Sequence, residues 1–252
     1  MSRLCGVQLI KNGVKYDYCF KESIQSMLNC CDQVIVSYIP GEDNTLEVLE
    51  SIKDDRLKIL HLTEDDWNMY NDKYRLSYLT NVAIQEADRM GFQYILSVQS
   101  DEVLHEDSYL AVRRAVNDNH EGYLCTRVNL WKSPDLELNV PQERLPCSNE
   151  VVRLAKISYR AFDDAESLFA PGIPDYMDEI KIIHYGFVRK KEVMKSKIIN
   201  MQEGVFAMGH HDPKLDEGEL FNPDLWFDPV KDLVPIKFKH PALIQNWVNE
   251  RK

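Results

Sequence analysis

Short apolar runs and longer amphipathic segments alternate along the first 130 residues of the chain. The apolar runs predict strands at residues 4–10, 33–38, 56–61, 94–98 and 122–130. Apolar residues at helical spacing predict helices at residues 18–28, from 43 or 44 to about 52, from 73 to 91 and from 107 to 116. Strands that alternate with helices in this way predict βαβ units in a mostly parallel sheet, and therefore an α/β fold.

The pattern changes after residue 130. Pro134, Pro141 and Pro146 predict loops, and residues 63–72 read as a polar, aromatic loop. Two further strands are predicted at residues 151–156 and 180–185, followed by a helix at 191–208 and a wrapping tail at 210–252. Because nothing repeats and no low-complexity linker interrupts the chain, we expect one domain over residues 1–252 with an irregular carboxyl-terminal third.

Composition narrows the class of protein. The chain has 252 residues, 44% of them hydrophobic and 28% charged, which is typical of a soluble globular protein. A net charge of −11 disfavours a general nucleic-acid binder. The polar residues that follow Ile10 predict that the amino-terminal segment is not a signal peptide, and we expect no membrane span because no apolar run is long enough. The six cysteines lack C-x-x-C spacing, so we expect reduced packing residues of a cytoplasmic protein and no zinc site.

The strongest candidate for chemistry is the stretch from Tyr94 to Leu104, in which an apolar strand ends in Asp101 and Glu102. In open α/β sheets, ligands bind beyond the carboxyl ends of the strands. Adjacent carboxylates at that position suit a hard divalent cation such as Mg²⁺ or Mn²⁺. The alternative interpretation is an acidic surface turn.

Other polar residues follow predicted strands or lie on the helix before this one. Asp43 opens a helix, where it could contact a ligand or simply cap the helix. Arg75 could bind a diphosphate or form a surface salt bridge, and Asn81 lies on the same helix. His184 ends a strand, where a histidine is either structural or, beside a carboxylate site, a further metal ligand.

Two acidic segments lie later in the chain. Asp163, Asp164 and Glu166 share a short loop, which offers a general base for an acceptor hydroxyl or is a solvated turn. His210, His211 and Asp212 have the composition of a metal cluster, but we favour a capped turn.

Taken together, these segments resemble the inverting nucleotide-sugar transferases of glycosyltransferase family 2, which have the GT-A fold. The resemblance runs from about Lys11 to Pro241. It is carried by residues 11–18, 22–24, 43–45, 81–84, 95–104 and 184–189, and by His240 with Pro241.

The resemblance implies a nucleotide-diphosphate sugar as donor and a divalent metal, Mn²⁺ or Mg²⁺, as cofactor. It implies that Asp101 is the metal ligand, with Glu102 beside it and His184 as a further ligand. Gln99 stands where the family has the first acid of an Asp-x-Asp motif.

The same resemblance implies which residues bind the donor and which acid is the base. It places Asp43 at the nucleoside and Glu22, Arg75, Asn81 and Ser100 in the donor-binding set, with residues 1–130 as the nucleotide-sugar half and 131–252 as the acceptor half. It implies Asp164 as the catalytic base, with Asp163 and Glu166 as rivals.

The acceptor stays open at this point. A surface glycan or lipopolysaccharide is the expected acceptor, and a hydroxylated base of viral DNA is possible for short members of the family. The basic residues Arg189, Lys190, Lys191, Lys195 and Lys197 are a candidate contact to a nucleic-acid backbone or, alternatively, a solvated helix start. Because of Gln99, a non-catalytic sugar- or nucleotide-binding module is the second hypothesis.

Overall fold

A computed structural model describes residues 2–70, 73–139, 148–170, 172–204 and 232–252 of the chain. The predictions for Pro141, Pro146 and the segment from His210 to Asp212 lie outside the described residues, as does the predicted helix beyond residue 204. Among the described residues, no helix has the length and apolar character needed to cross a membrane. Five cysteines lie in the described part, and all five are buried thiols outside any disulfide.

The amino-terminal half alternates strands and helices as its apolar pattern predicts. Its elements are β1 (Leu4–Ile10), α1 (Phe20–Leu28), β2 (Gln33–Tyr38), α2 (Thr45–Glu50), β3 (Leu57–His61), α3 (Glu64–Asn68), α4 (Tyr74–Arg89), β4 (Tyr94–Ser97), β5 (Glu102–Leu104), a 3₁₀ turn (Glu106–Ser108), α5 (Tyr109–Asn117) and β6 (Gly122–Trp131). Gly91 ends the α4 segment with a φ of 78°, a conformation that glycine adopts without strain.

The second half consists mainly of strands. Its described elements are β7 (Ser133–Leu138), β8 (Glu150–Lys156), β9 (Arg160–Phe162), β10 (Ser167–Phe169), β11 (Asp175–Phe187), α6 (Lys191–Gly204), β12 (Leu233–Pro235), a 3₁₀ turn (Ala242–Ile244) and α7 (Gln245–Asn249).

One curled sheet joins the two halves. The order of its described strands is β12-β7-β6-β8-β4-β1-β2-β3, and β11 pairs with both β5 and β6. Strands β4, β1, β2 and β3 are parallel neighbours, whereas β8 runs antiparallel to both β4 and β6. The predicted α/β fold is therefore confirmed: the chain has a Rossmann-like sheet flanked by helices, consistent with the GT-A architecture.

Helices cover both faces of the central parallel strands β1 and β2, and this explains why most of their residues are apolar. Along β1, Leu4 packs in the same cluster as Ile24 of α1, whereas Cys5 packs in the cluster that holds Ala83 and Ile84 of α4. Successive side chains of a strand point to opposite faces, so a strand covered on both sides has no polar positions to alternate with. The carboxyl ends of these strands thus form the edge at which a ligand site can be built.

Two segments that the sequence predicts as loops contain regular structure. Residues 64–68 form α3, whose amino terminus is closed by a reciprocal capping box between Thr63 and Asp66. Pro134 lies in β7, which pairs with β6 where the register shifts between Leu130 and Trp131. A strand at such an irregularity can accept proline, since a regular ladder hydrogen bond is not required there.

Candidate functional site

Asp101 ends a tight turn that follows β4, and Glu102 is the first residue of β5 directly after it. The Gln99 carbonyl accepts hydrogen bonds from the Glu102 backbone N–H at 3.0 Å and from the Ser23 hydroxyl at 3.1 Å. It also lies 3.4 Å from the Gln8 amide nitrogen, whose strand is the central β1. The turn is therefore fixed by β1 and α1, and it directs the side chains of the two acids into different surroundings.

Glu102 lies in a fully buried ion-pair cluster. Its Oε1 accepts from Arg153 Nη2 at 2.6 Å and from Arg127 Nη1 at 3.3 Å, and its Oε2 accepts from the Gln99 backbone N–H at 2.9 Å. Burial alone would raise the pKa of Glu102, but the Arg153 and Arg127 charges outweigh it and lower that pKa. Both carboxylate oxygens of Glu102 are thus already used by protein donors.

Asp101 lies in a second cluster, beside the carboxyl-terminal part of the chain. Its Oδ2 accepts from Lys197 Nζ at 2.9 Å and from Arg189 Nη2 at 3.2 Å, and its Oδ1 lies 3.8 Å from His184 Nε2. Burial opposes ionisation of Asp101, but Lys197, His184 and Arg189 together hold its pKa well below the usual value. Asp101 is therefore a carboxylate whose charge is balanced by two cations.

His184 is oriented by Asn129 on the neighbouring strand. Its Nδ1 lies 2.9 Å from Asn129 Oδ1, while the Asn129 amide nitrogen donates to the Ser148 carbonyl and to Asn149 Oδ1. Because the amide nitrogen is used in this way, the amide oxygen faces the ring and His184 Nδ1 carries the hydrogen. Burial lowers the pKa of His184, and the hydrogen bond to Asp101 and the charge of that carboxylate oppose this shift.

Arg189 is the least satisfied charged group of this cluster. Its side chain has no exposed surface, and its guanidinium lies 4.6 Å from the centroid of the Tyr18 ring. Beyond Asp101, its Nε and Nη1 have no hydrogen-bond partner within the described part of the chain. A buried donor without an acceptor costs about 1–3 kcal/mol, so these two N–H groups are poised to bind one.

Gly186 closes the cluster from the β11 side. Its carbonyl lies 3.3 Å from Lys197 Nζ. A Cβ at this position would lie 2.1 Å from His184 Nε2 and 3.0 Å from Asp101 Oδ2. A glycine is therefore needed for the imidazole and the carboxylate to approach each other this closely.

The acid loop, residues 163–166, connects β9 to β10. Asp163 and Ala165 have φ values of 57° and 61°, so the loop turns sharply through left-handed conformations. The Ala165 carbonyl accepts from Gln99 Nε2 at 3.4 Å and from Arg153 Nη1 at 3.2 Å. These two bonds hold the acid loop against the turn that carries Asp101 and Glu102.

The three acids of the loop differ in their partners. Asp163 pairs with Lys73 at 2.6 Å, and Glu166 pairs with Arg127 and accepts from the Ser148 backbone N–H at 2.9 Å. Asp164 accepts only from the Glu166 backbone N–H, at 3.1 Å, and forms no ion pair within the described residues. Burial, together with the Glu166 and Asp163 charges, raises the pKa of Asp164. Asp164 is thus the acid of this loop best suited to accept a proton.

Two of the remaining predicted site residues, Asp43 and Asn81, make contacts that hold neighbouring segments of the fold together. Asp43 accepts from Thr45 and from the Lys15 backbone N–H, and so organises the start of α2. Both amide atoms of Asn81 bond to the backbone of Ala161, which anchors α4 to β9.

Arg75 is buried, and its guanidinium lies 4.6 Å from the Trp67 ring centroid, as does Lys11 Nζ. Ser100 is half-buried in the turn after β4. Burial raises the pKa of Glu22 in the first turn of α1. None of the contacts described for the predicted donor-binding residues reaches the side chain of Asp101 within the described part of the chain. These residues are Glu22, Asp43, Arg75, Asn81 and Ser100.

Several residues of the site were not predicted from the sequence. Arg127 and Arg153 are the partners of Glu102, and Asn129 orients His184. A signal for the two arginines was present, because each lies between apolar or buried residues of a strand, in β6 and β8 respectively. An arginine that is buried in a strand needs a buried anion.

The described residues do not fit the predicted divalent cation. Asp101 and His184 come together, but Glu102 is directed towards arginines, and no group of three or more His, Cys, Asp or Glu residues in the described part is placed to hold a metal. The two clusters contain the carboxylates Asp101, Glu102 and Glu166, against the cations Arg127, Arg153, Arg189 and Lys197. Four positive charges already exceed three negative ones, and this balance favours an anion over a further cation.

The fold and the site define an α/β protein with a buried cluster of ion pairs at the carboxyl ends of a Rossmann-like sheet. No protein-family profile matches the chain, and no curated protein matches it. Among solved structures, it is similar to three of S. aureus TarS. The TarS 1–349 complex with UDP has a TM-score of 0.41 at 16% identity, covering 62% of this chain and 47% of that one.

A second structure of TarS 1–349 has a TM-score of 0.44 at 13% identity, covering 80% of this chain and 66% of that one. A further TarS structure has a TM-score of 0.47 at 14% identity, covering 80% of this chain and 40% of that one. This chain therefore spans less than two thirds of the TarS chains that it resembles. At these TM-scores the likeness carries no argument about activity, which is proposed below from the residues of the chain itself.

Proposed function

We propose that the protein is a glycosyltransferase that moves a sugar from a nucleotide-diphosphate sugar to an acceptor hydroxyl. The observation that carries this proposal is that the cations around Asp101 and the carboxyl group of Asp164 belong to adjoining segments, since the acid loop is bonded to the turn after β4. The cluster around Asp101 has two unused N–H groups on Arg189, whereas Asp164 of the adjoining loop forms no ion pair among the described residues. Group transfer needs this pair of features, one for the leaving anion and one for the incoming hydroxyl.

The mechanism follows from the charges. Arg189 and Lys197 stabilise the negative charge that develops on the leaving nucleoside diphosphate. Asp164 removes the proton from the acceptor hydroxyl as that oxygen attacks the anomeric carbon. Attack opposite the leaving group inverts the configuration of the sugar. The raised pKa of Asp164 makes it a stronger base than an exposed aspartate.

The nucleoside side of the donor is assigned to the neighbouring strand ends. In this proposal Asp43, Glu22 and Ser100 contact the nucleoside and ribose, and Arg75 lies nearer the phosphates. Asn81 contributes by positioning β9, since both of its amide atoms bond to Ala161. Residues 1–130 supply most of this donor half and residues 131–252 the acceptor half, although Arg189 and Lys197 extend the donor side into the second half.

The divalent metal is supported by the resemblance to glycosyltransferase family 2 alone. Its donors would be Asp101 Oδ1 and His184 Nε2, which are 3.8 Å apart. A bound Mn²⁺ or Mg²⁺ would supply electrostatic stabilisation of the leaving diphosphate. The charge balance of the cluster argues against such an ion, so no step is assigned to it.

The acceptor side favours a glycan over DNA. Beside the acid loop, Tyr74, Phe162 and Phe169 are 42%, 60% and 65% exposed, and successive ring centroids are 6.1 Å apart. Exposed aromatic rings offer faces on which sugars or bases can stack. The carboxylates of the acid loop lie next to these rings and repel a phosphate backbone. Arg189 and Lys197, from the basic run that could have contacted DNA, are buried against Asp101.

Nucleotide binding and sugar transfer test the proposal. We expect UDP or GDP to raise the unfolding temperature, and a nucleotide sugar to be consumed in the presence of a glycan acceptor. Asp164→Asn should retain nucleotide binding and lose transfer, with a fall of roughly 10²- to 10⁴-fold for removal of a general base. If neither nucleotide shifts the unfolding temperature, the proposal fails. Binding without turnover, unaffected by Asp164→Asn, would instead identify the non-catalytic module.

A further inference from the structure

We propose that Arg189 and Lys197 form the diphosphate-binding subsite of this protein, and that they bind the diphosphate without a divalent metal. The inference rests on the proposed function and departs from the metal-dependent donor site that the resemblance to glycosyltransferase family 2 implies. It makes Asp101 a positioning residue that holds the two cations, rather than a metal ligand.

The first step is the geometry of Arg189. Its guanidinium is held on one side by Asp101, which Nη2 reaches at 3.2 Å, and on its face by the Tyr18 ring. These contacts leave Nε and Nη1 as the two donor groups of the guanidinium that have no partner among the described residues. Because Cδ lies between the directions in which these two groups donate, each can give a charge-assisted hydrogen bond to a different oxygen of a diphosphate.

The second step is the position of Lys197 on α6. Its ammonium lies 2.9 Å from the Asp101 oxygen that Arg189 also contacts, and 5.2 Å from the Tyr18 ring centroid. Asp101 therefore brings two cations together that would otherwise repel each other. A diphosphate carries enough negative charge to bridge both of them, since each phosphate can face one cation.

The third step is the competition between a metal and these cations for Asp101. A metal ion on Asp101 would be a third positive charge centre on one buried carboxylate. At an effective dielectric constant of about 20, two unit charges 4 Å apart repel by about 4 kcal/mol, and a divalent ion doubles this for each neighbouring cation. Arg189 and Lys197 occupy this position already, so they take the electrostatic role that the resemblance to glycosyltransferase family 2 assigns to a metal.

Isothermal titration calorimetry on the full chain tests the inference. UDP, GDP and inorganic pyrophosphate are titrated into metal-stripped protein in EDTA, and again in MgCl₂ or MnCl₂. We expect binding in EDTA, with an affinity that the metals raise by less than about tenfold. Arg189→Gln and Lys197→Gln should each weaken binding by about ten- to a hundred-fold in EDTA, the effect of losing one charged hydrogen bond. Lys195→Gln, at an exposed position of the same helix, is the matched control and should bind as the wild type does.

The outcomes separate the inference from the proposed function. Binding that occurs only with a metal overturns the inference but leaves the nucleotide-sugar transferase intact. If no probe binds with or without a metal, the proposed function itself fails. The wild-type titration in EDTA requires no variant. Arg189→Lys keeps the charge but loses the separate Nε and Nη1 donors of the guanidinium, so it should bind more weakly than the wild type. Equal affinities for Arg189→Lys, Arg189→Gln and wild type would contradict the role of the guanidinium.

Discussion

Glu102 and Arg153 form an ion pair in which neither side chain has exposed surface, with Arg153 Nη2 2.6 Å from Glu102 Oε1. Glu102 thus differs from the adjacent Asp101, although the two acids looked equivalent in the sequence. The pair joins β5 to β8, and its partner Arg127 joins both to the acid loop through Glu166. We infer that Glu102 stabilises the fold beneath the site and does not contact the donor.

Glu102→Gln should therefore destabilise the protein strongly. The substitution leaves Arg153 and Arg127 buried without their full counter-charge, and breaking a buried pair of this kind costs about 3–5 kcal/mol. Urea denaturation measures this change in the free energy of unfolding. The control is Glu121→Gln, which removes an exposed partner of Lys156 and should cost less than about 1 kcal/mol. A Glu102→Gln variant with wild-type stability and no nucleotide binding would show that Glu102 is a ligand-binding residue instead.

Gly186→Ala should damage the cluster around Asp101. A methyl group at this position cannot coexist with the observed His184 ring, because its carbon would lie 2.1 Å from Nε2. The His184 ring or the strand must shift, at a cost of about 1–3 kcal/mol in unfolding free energy. Nucleotide affinity should also fall, because the added methyl group would lie 3.0 Å from Asp101 Oδ2. Gly91→Ala is the control. It should also destabilise the protein, because Gly91 has a φ of 78°, but it lies after α4, where an added Cβ would meet only Arg3. If both variants lose stability but bind nucleotide equally, the close packing at Gly186 has no role in binding.

The parallel half of the sheet could be predicted from the sequence because its signals are local. Strands β1, β2 and β4 are mostly apolar and buried on both faces, and the helices between the strands have clear helical spacing. The order of strands and helices along the chain then sets the fold class. The convergence of Asp101 and His184 was also predicted, through the resemblance.

The rest of the site could not be predicted because it depends on contacts between distant segments. Strands β5, β9 and β10 have only three residues each, too few for a periodic pattern. Which cation reaches which acid is set by the register of β6, β8 and β11 rather than by nearby residues. Lys197, for example, lies 96 positions after Asp101 and contacts it through the docking of α6.

Gln99→Glu should not create a metal site. The substitution places an acid where glycosyltransferase family 2, which the sequence resembles, has the first acid of its Asp-x-Asp motif. Gln99 Nε2 donates to the Ala165 carbonyl, and a carboxylate cannot make that donation. A second anion would also lie close to Glu102, whose oxygen accepts from the Gln99 backbone. We expect a loss of about 1–3 kcal/mol in unfolding free energy and no gain in Mn²⁺ affinity by calorimetry. Tight Mn²⁺ binding by this variant would support a metal site that lacks only its first acid.

Asp164→Asn should stabilise the fold while it abolishes transfer, because Asp164 is the partly buried acid of its loop that lacks an ion pair among the described residues. The raised pKa means that the folded protein holds this proton more tightly than the unfolded chain does. The ionised carboxylate therefore weakens the fold above the folded pKa, and this penalty disappears below the unfolded pKa of about 4. The unfolding temperature of Asp164→Asn should exceed that of the wild type at neutral pH, and the difference should shrink as the pH falls.

Asp163→Asn is the matched comparison for this last variant. Asp163 pairs with Lys73 in a partly exposed position, so its loss should change stability by less than about 1 kcal/mol. If Asp164 is the base, transfer to a glycan acceptor falls in Asp164→Asn by roughly 10²- to 10⁴-fold and far less in Asp163→Asn. Nucleotide affinity should be retained in both, because neither acid contacts Arg189 or Lys197 in the described structure. A loss of transfer in Asp163→Asn alone would assign the base to Asp163, and equal activity of both variants and the wild type would remove the acid loop from the mechanism.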